Sequence, residues 1–144
     1  MPDVPRISRQ LESSLYVADL DASAAFYQRV FGFEELLRED RMAGLAVPGG
    51  SVLLLFRRGG SVEPSPVPGG VIPPHDGSGT LHLCFAIPLA ELDAWERHLA
   101  ALGIAVESRV VQSFGGTSLY FRDPDGHSLE VAVPGLWATY RFRL

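Results

Sequence analysis

The strongest constraint on this chain is that its pattern is written twice. Residues 12–17 alternate, with Leu15 and Val17 on one side and Glu12, Ser14 and Tyr16 on the other, as in a half-buried strand. Asp19 and Asp21 then offer N-caps, residues 22–31 read as a helix burying Phe26 and Val30, and Gly32 ends it. Three strand-like segments follow at 33–38, 42–47 and 52–57, the last two joined by Pro48-Gly49-Gly50. The same order returns. Residues 80–87 alternate until Pro88, and 89–102 place Leu92, Trp95, Leu99 and Leu102 on one helical stripe closed by Gly103. Segments at 105–111, 117–122 and 128–133 then read as strands.

A βαβββ unit repeated twice predicts an α+β fold in which a mixed sheet curls around a shared cleft. The 144 residues make one domain: repeat one at about 10–58, a connector at 59–79, repeat two at about 80–134, and a tail at 135–144. The connector is rich in glycine and proline and reads either as a lid over a ligand or as a plain linker.

Overlaying the halves selects four positions. Gly50-Ser51-Val52-Leu53-Leu54 falls on Gly126-His127-Ser128-Leu129-Glu130, and Glu12 falls on His82. Glu130 is a carboxylate in mid-strand, after a type I turn signal at Asp123-Pro124-Asp125-Gly126. Its neighbours Leu129 and Val131 require burial, and a buried lone carboxylate costs several kcal/mol unless it is paired, hydrogen-bonded or metal-bound. Three of the four equivalent positions, Glu12, His82 and Glu130, carry metal-ligating groups; the fourth, Leu54, is apolar. Carboxylate and imidazole groups converging from different strands are the donor set of a divalent metal site, and two acids with one imidazole suit Mn, Fe or Mg at least as well as Zn. The competing reading for Glu130 is a salt bridge to Arg122 across the hairpin.

Composition excludes other chemistries. The chain contains no Lys and no Asn, which removes Schiff-base catalysis and a Walker-type phosphate loop. Its single Cys84 allows no intramolecular disulfide and no cysteine cluster for zinc. A net charge of -5 without a basic block argues against nucleic acid or an anionic membrane as partner. With no long apolar run and no signal-like N-terminus, a soluble, cytoplasmic protein is expected.

His75, in the connector, is either a general base reaching the cleft or a surface residue. Tyr16 and Tyr120 share the ligands' strand faces and either donate a hydrogen bond to a developing oxyanion or simply pack in the sheet. His127 is expected to be an exposed hairpin residue, His98 a structural one, and Cys84 an inert small hydrophobe. The aromatic tail, with Trp137 and Tyr140, is expected to dock on its own domain or on a second subunit, and open sheet edges suggest a homodimer.

The stretches Leu15-Tyr16-Val17-Ala18-Asp19-Leu20-Asp21, Phe26-Tyr27, Phe31-Gly32-Phe33, Leu81-His82-Leu83 and Phe121 to Gly126 through Leu129-Glu130 resemble the vicinal oxygen chelate superfamily. That superfamily includes glyoxalase I, extradiol dioxygenases, fosfomycin-resistance enzymes and bleomycin-resistance proteins. The resemblance implies paired βαβββ units with a metal at the cleft floor, and it maps ligands onto Glu12, His82 and Glu130. A His is more common at the position of Glu12, and glyoxalase I carries a Glu where Leu54 stands. The implied function is a metal-dependent enzyme, of dioxygenase or of lyase or isomerase type. Its small-molecule substrate would chelate one divalent ion (Fe, Mn, Zn, Ni or Mg) through vicinal oxygens. The alternative is a non-catalytic drug- or metabolite-binding protein of the bleomycin-resistance type.

Overall fold

The computed structural model describes residues 3–135 and Trp137; the tail residues 136 and 138–144 lie outside the described residues. Repeat one comprises β1 (Glu12–Val17), α1 (Leu20–Phe31), β2 (Glu34–Arg38), β3 (Met42–Val47) and β4 (Ser51–Arg57). The connector carries a small hairpin, β5 (Ser65–Val67) and β6 (Gly70–Ile72). Repeat two comprises β7 (His82–Ala86), α2 (Leu92–Ala101), β8 (Ser108–Val111), β9 (Thr117–Arg122) and β10 (Ser128–Ala132). The α+β architecture of two βαβββ units is thus the one the repeat requires.

Each unit forms its own four-stranded mixed sheet, in the orders β1-β4-β3-β2 and β7-β10-β9-β8. The registers match. Glu12 lies opposite Val52 in the parallel β1–β4 pair, and His82 lies opposite Ser128 in the parallel β7–β10 pair, so Leu54 and Glu130 each follow two residues later. The overlay drawn from the sequence is therefore also an overlay of hydrogen-bonding registers.

The helices form where capping and apolar periodicity agree. Asp19 accepts a hydrogen bond from the Ala22 amide at the start of α1, and Gly32 ends that helix in the left-handed region at φ 69°. Residues 89–91 open the second helical segment as a single 3-10 turn after Pro88, so α2 is shorter than the apolar stripe suggests. Only Ser108–Val111 of the expected 105–111 strand pairs with β9. The Glu107 amide still donates to the Tyr120 carbonyl at 2.8 Å, and the chain from 104 to 106 is not part of the strand.

One core serves both halves. Leu15, Val17, Leu53 and Leu55 from the first sheet join Leu119, Phe121, Leu129 and Val131 from the second, with Tyr27, Val30 and Leu99 from the helices, all essentially buried. Phe31 of α1 stacks within 6.0 Å of Phe121 and lies 4.9 Å from Phe85 and 5.5 Å from Trp95, so an aromatic cluster from both repeats seals one end. The alternate residues of each sheet face away from this core.

At the other end the β9–β10 turn clasps repeat one. Gly126 N donates to Asp123 O at 3.0 Å, which closes the turn, while Asp123 Oδ1 accepts from the amides of Asp125 and His127. Asp123 Oδ2 accepts from the Tyr27 hydroxyl at 2.8 Å, and burial, then the Asp123 charge, push the Tyr27 phenol well above its ordinary range. Asp125 accepts from the Ala18 amide at 2.8 Å, with Arg58 nearby at 3.6 Å. His127, expected at the surface, is fully buried instead. Its Nδ1 accepts from the Leu81 amide, which fixes the proton on Nε2, and Nε2 donates to the Tyr16 carbonyl at 2.8 Å. The turn carries it inward because its partners are backbone groups of β1 and of the residue just before β7. His98 is structural as expected, its Nε2 donating to the Val30 carbonyl at the end of α1.

Candidate functional site

Strand alternation sends His82 and Cys84 of β7, Tyr120 of β9 and Glu130 of β10 to the outward face of the second sheet. With Gln112 and Trp137 they line a pocket of about 470 Å³. Glu130 is only 5% exposed. It receives a short hydrogen bond from the Ser118 hydroxyl, and its Oε1 lies 3.3 Å from His82 Nε2. His82 Nδ1 is 2.9 Å from the Ser128 carbonyl, which can only accept, so the neutral ring carries its proton on Nδ1 and turns the Nε2 lone pair toward Glu130. Two acceptors then face each other, and a cation or a proton is required between them.

Other candidate partners of Glu130 are spoken for. Arg122 pairs with Glu107 at 2.7 Å and holds that carboxyl below its usual range, chiefly through their hydrogen bond. Cys84 is exposed by surface area, yet its thiol sits closely enough among its neighbours that burial, followed by the charge of Glu130 and a hydrogen bond to it, pushes its pKa up to about 12. The thiol is thus protonated at neutral pH. Tyr120 stacks on His82 with ring centroids 6.2 Å apart, and its oxygen lies 3.3 Å from Gln112 Nε2, which can only donate. The Tyr120 hydrogen is left for the pocket.

The outward face of the first sheet carries Glu12, Ser14 and Tyr16 of β1 and Leu54 and Phe56 of β4, and lines a separate pocket of about 540 Å³. The connector folds over it. His75 Nδ1 lies 2.8 Å from the Tyr16 hydroxyl and its ring meets Phe56 edge-on at 4.5 Å, while its amide donates to the Ser61 carbonyl. Gly77 lies so close to the Tyr16 ring that a Cβ there would stand 2.3 Å from Cδ2. Arg41 secures the connector from beneath, donating to the Gly60 carbonyl at 2.8 Å and to the Ser65 hydroxyl at 2.7 Å.

The structure therefore brings His82, Glu130 and Tyr120 to one face and Tyr16, His75 and the exposed Glu12 to the other. Among the described residues of one chain, no three His, Cys, Asp or Glu side chains converge in a way that would hold a metal. Ser118 and Gln112 were not singled out from the sequence. Ser118 stands two positions before Tyr120 on the same strand face and was legible by that parity, whereas Gln112 lies in a loop with no periodic signal. No helix among the described residues is long and apolar enough to cross a membrane.

Comparison with known proteins bears on the family and the fold. Residues 9–131 match the family model described as Glyoxalase/Bleomycin resistance protein/Dioxygenase superfamily. The chain is 30% identical over 116 residues to a metallothiol transferase FosB from Bacillus licheniformis, spanning 80% of this chain and 68% of that protein. It is 31% identical over 123 residues to a catechol-2,3-dioxygenase from Bacillus subtilis, covering 83% of this chain but only 39% of the dioxygenase. Among solved structures, a lactoylglutathione lyase from Agrobacterium tumefaciens superposes with a TM-score of 0.84 at 37% identity, over 93% of this chain and 99% of that one.

Proposed function

The chain belongs to the glyoxalase/bleomycin resistance protein/dioxygenase superfamily, and from that premise we propose that it is a metal-dependent enzyme acting on a small molecule with vicinal oxygens. One observation carries the reading: His82 Nε2 and an oxygen of the buried Glu130 carboxylate face each other at 3.3 Å with the far nitrogen of His82 held by a backbone carbonyl. Metal-ligating histidines characteristically donate their second nitrogen in this way. The two donor atoms stand close enough that both would hold one divalent ion between them.

Glu12 is the third ligand in this reading, supplied by a second copy of the chain. The two outward faces of one chain turn away from a common core, and each sheet ends in two edge strands, β1 and β2 in the first and β7 and β8 in the second. A two-fold dimer that sets the first sheet of one copy beside the second sheet of the other forms two equivalent clefts, because an isologous contact occurs twice. Each cleft would then combine His82, Glu130 and Tyr120 of one chain with Glu12, Tyr16 and His75 of its partner. That is the shared cleft of the repeat, built from two chains.

A divalent ion bound there supplies Lewis acidity to the substrate's adjacent oxygens. The chain's own residues do the rest. His75 accepts the proton that the substrate loses, and the Tyr16 hydroxyl holds the imidazole in place. Tyr120 donates its free hydrogen to the oxygen on which negative charge develops. Dioxygenase chemistry and lyase or isomerase chemistry both begin with these steps.

The test is metal analysis of the purified protein. About one divalent ion per chain in the wild type, lost in Glu130→Ala, supports the enzyme. Metal-free wild-type protein that still binds a ligand equally well as Glu130→Ala supports the sequestering alternative instead.

A further inference from the structure

We propose that the chain carries a second ligand site, apart from the candidate metal pair, and that it takes a flat, neutral azole: an imidazole-type ring fused to an apolar one. The overlay that sets Glu12 on His82 and Leu54 on Glu130 also sets Leu11 on Leu81, Ala86 on Tyr16 and Ser51 on His127. The backbone obeys it, for the Val52 amide donates to the Leu11 carbonyl at 3.0 Å and the Ser128 amide to the Leu81 carbonyl at 2.8 Å. At one end of the molecule the His127 imidazole bridges the Leu81 amide and the Tyr16 carbonyl. At the other end the counterparts of those two groups are the Leu11 amide and the Ala86 carbonyl, and the residue facing them is Ser51. A single hydroxyl on one carbon cannot span the two groups as an imidazole ring does.

A second clasp contact is missing on both sides. Asp125, which accepts from the Ala18 amide, has Gly49 as its counterpart, and Ala18 has Pro88, which carries no amide hydrogen. In place of a clasp lies a cavity of about 480 Å³ whose walls include Ser51, Ala86, Phe31, Phe33, Phe85 and Trp95. Leu81 and Ile87 turn their backbone groups to β10, so the Ala86 carbonyl of the edge strand β7 faces outward, as the Tyr16 carbonyl does on β1. A ligand that supplies the missing ring needs what His127 supplies: a lone pair for the amide, an N–H for the carbonyl across the ring, and no charge. The volume exceeds one such ring, and Phe31, Phe85 and Trp95 are only half-buried, so they keep aromatic surface for a flat fused extension.

The experiment is calorimetric titration of the full chain with benzimidazole, with 1-methylbenzimidazole, which lacks the N–H, and with indole, which lacks the acceptor nitrogen. Benzimidazole is expected to bind saturably and about tenfold more tightly than either analogue, the factor that one lost hydrogen bond represents. Ser51→His sets the imidazole of the clasped end into this one, and it should abolish benzimidazole binding and raise the denaturation midpoint. Glu130→Ala dismantles the candidate metal pair and should leave benzimidazole affinity within about threefold of wild type, as for independent sites. In amide NMR spectra of the wild type, benzimidazole should move the Leu11 and Ile87 resonances most, which locates the ligand whether or not Ser51→His folds. No benzimidazole binding at millimolar concentration, equal binding of either analogue, unchanged binding in a folded Ser51→His, loss of binding in Glu130→Ala, or shifts centred on His82 and Glu130 would each overturn the inference.

Discussion

His82 Nε2 and Glu130 Oε1 face each other across 3.3 Å, and because His82 Nδ1 donates to the Ser128 carbonyl, a neutral ring brings a lone pair to that meeting. A buried carboxylate opposite an imidazole lone pair is a poor device for stability and a good one for holding a cation. Glu130→Gln should therefore abolish metal binding. The same change should leave the metal-free protein as stable as the wild type, or about 1 kcal/mol more stable, since the amide still accepts from Ser118 and no longer carries a buried charge. Denaturant titration after chelation checks this. A loss of 3 kcal/mol or more would mark the pair as a structural salt bridge.

The clasp at the β9–β10 turn should behave oppositely. His127→Phe fills the volume but leaves the Leu81 amide and the Tyr16 carbonyl without partners in a fully buried site. Each orphaned group costs roughly 1–3 kcal/mol, so a destabilisation of about 2–4 kcal/mol is expected, with metal content per folded chain unchanged. Chemical denaturation and metal analysis of the same preparation measure the two effects separately.

Tyr27 gives the clasp a pH signature. Its phenol is raised above the unfolded value, first by burial and then by Asp123, so the stability it contributes is fully present below about pH 10 and is lost as the pH rises further, where the unfolded chain releases a proton the folded chain retains. Tyr27→Phe should cost about 1–3 kcal/mol at pH 7 by leaving Asp123 Oδ2 unpaired, and should flatten the loss of stability above pH 10. Denaturation midpoints from pH 7 to 11 test both parts. In the wild type, one of the four tyrosines should fail to ionise by ultraviolet titration until the protein unfolds.

His75→Ala should lower kcat by about 10²–10⁴-fold with metal content intact, the range expected for loss of a positioned general base. Gly77→Ala should reproduce part of that loss without touching the imidazole, because a methyl group cannot fit against the Tyr16 ring and the connector that carries His75 must shift. Turnover of both variants, alongside their metal content, distinguishes a base from a surface residue.

Much of this arrangement was legible in the sequence because a duplicated pattern carries its own register. Strand parity gives His82, Glu130 and Tyr120 a common strand face and Glu12 and Tyr16 the equivalent face of the other half, all expected to line one cleft, and the equivalence of Glu12 with His82 reappears as matched strand pairing. What parity does not encode is which sheets meet. The core shared by Leu15, Phe121 and Leu129 turns the two outward faces apart within a chain, a relation set by tertiary packing between the halves. The burial of His127 has a related cause. A histidine after a turn glycine is ordinarily solvated, and its burial depends on backbone partners at Leu81 and Tyr16, 46 and 111 positions away. The connector's glycines and prolines concealed both a hairpin and the reach of His75 to Tyr16.

Complementation between variants tests the shared centre most directly. Glu12→Ala and Glu130→Ala should each lose bound metal when purified alone. Unfolded together and refolded as an equimolar mixture, they should recover metal in mixed dimers, one ion per mixed dimer, because one of its two clefts then draws Glu12 from one chain and His82 with Glu130 from the other. Metal analysis of the mixed dimer showing none, while each variant remains folded, would contradict a site divided between two copies.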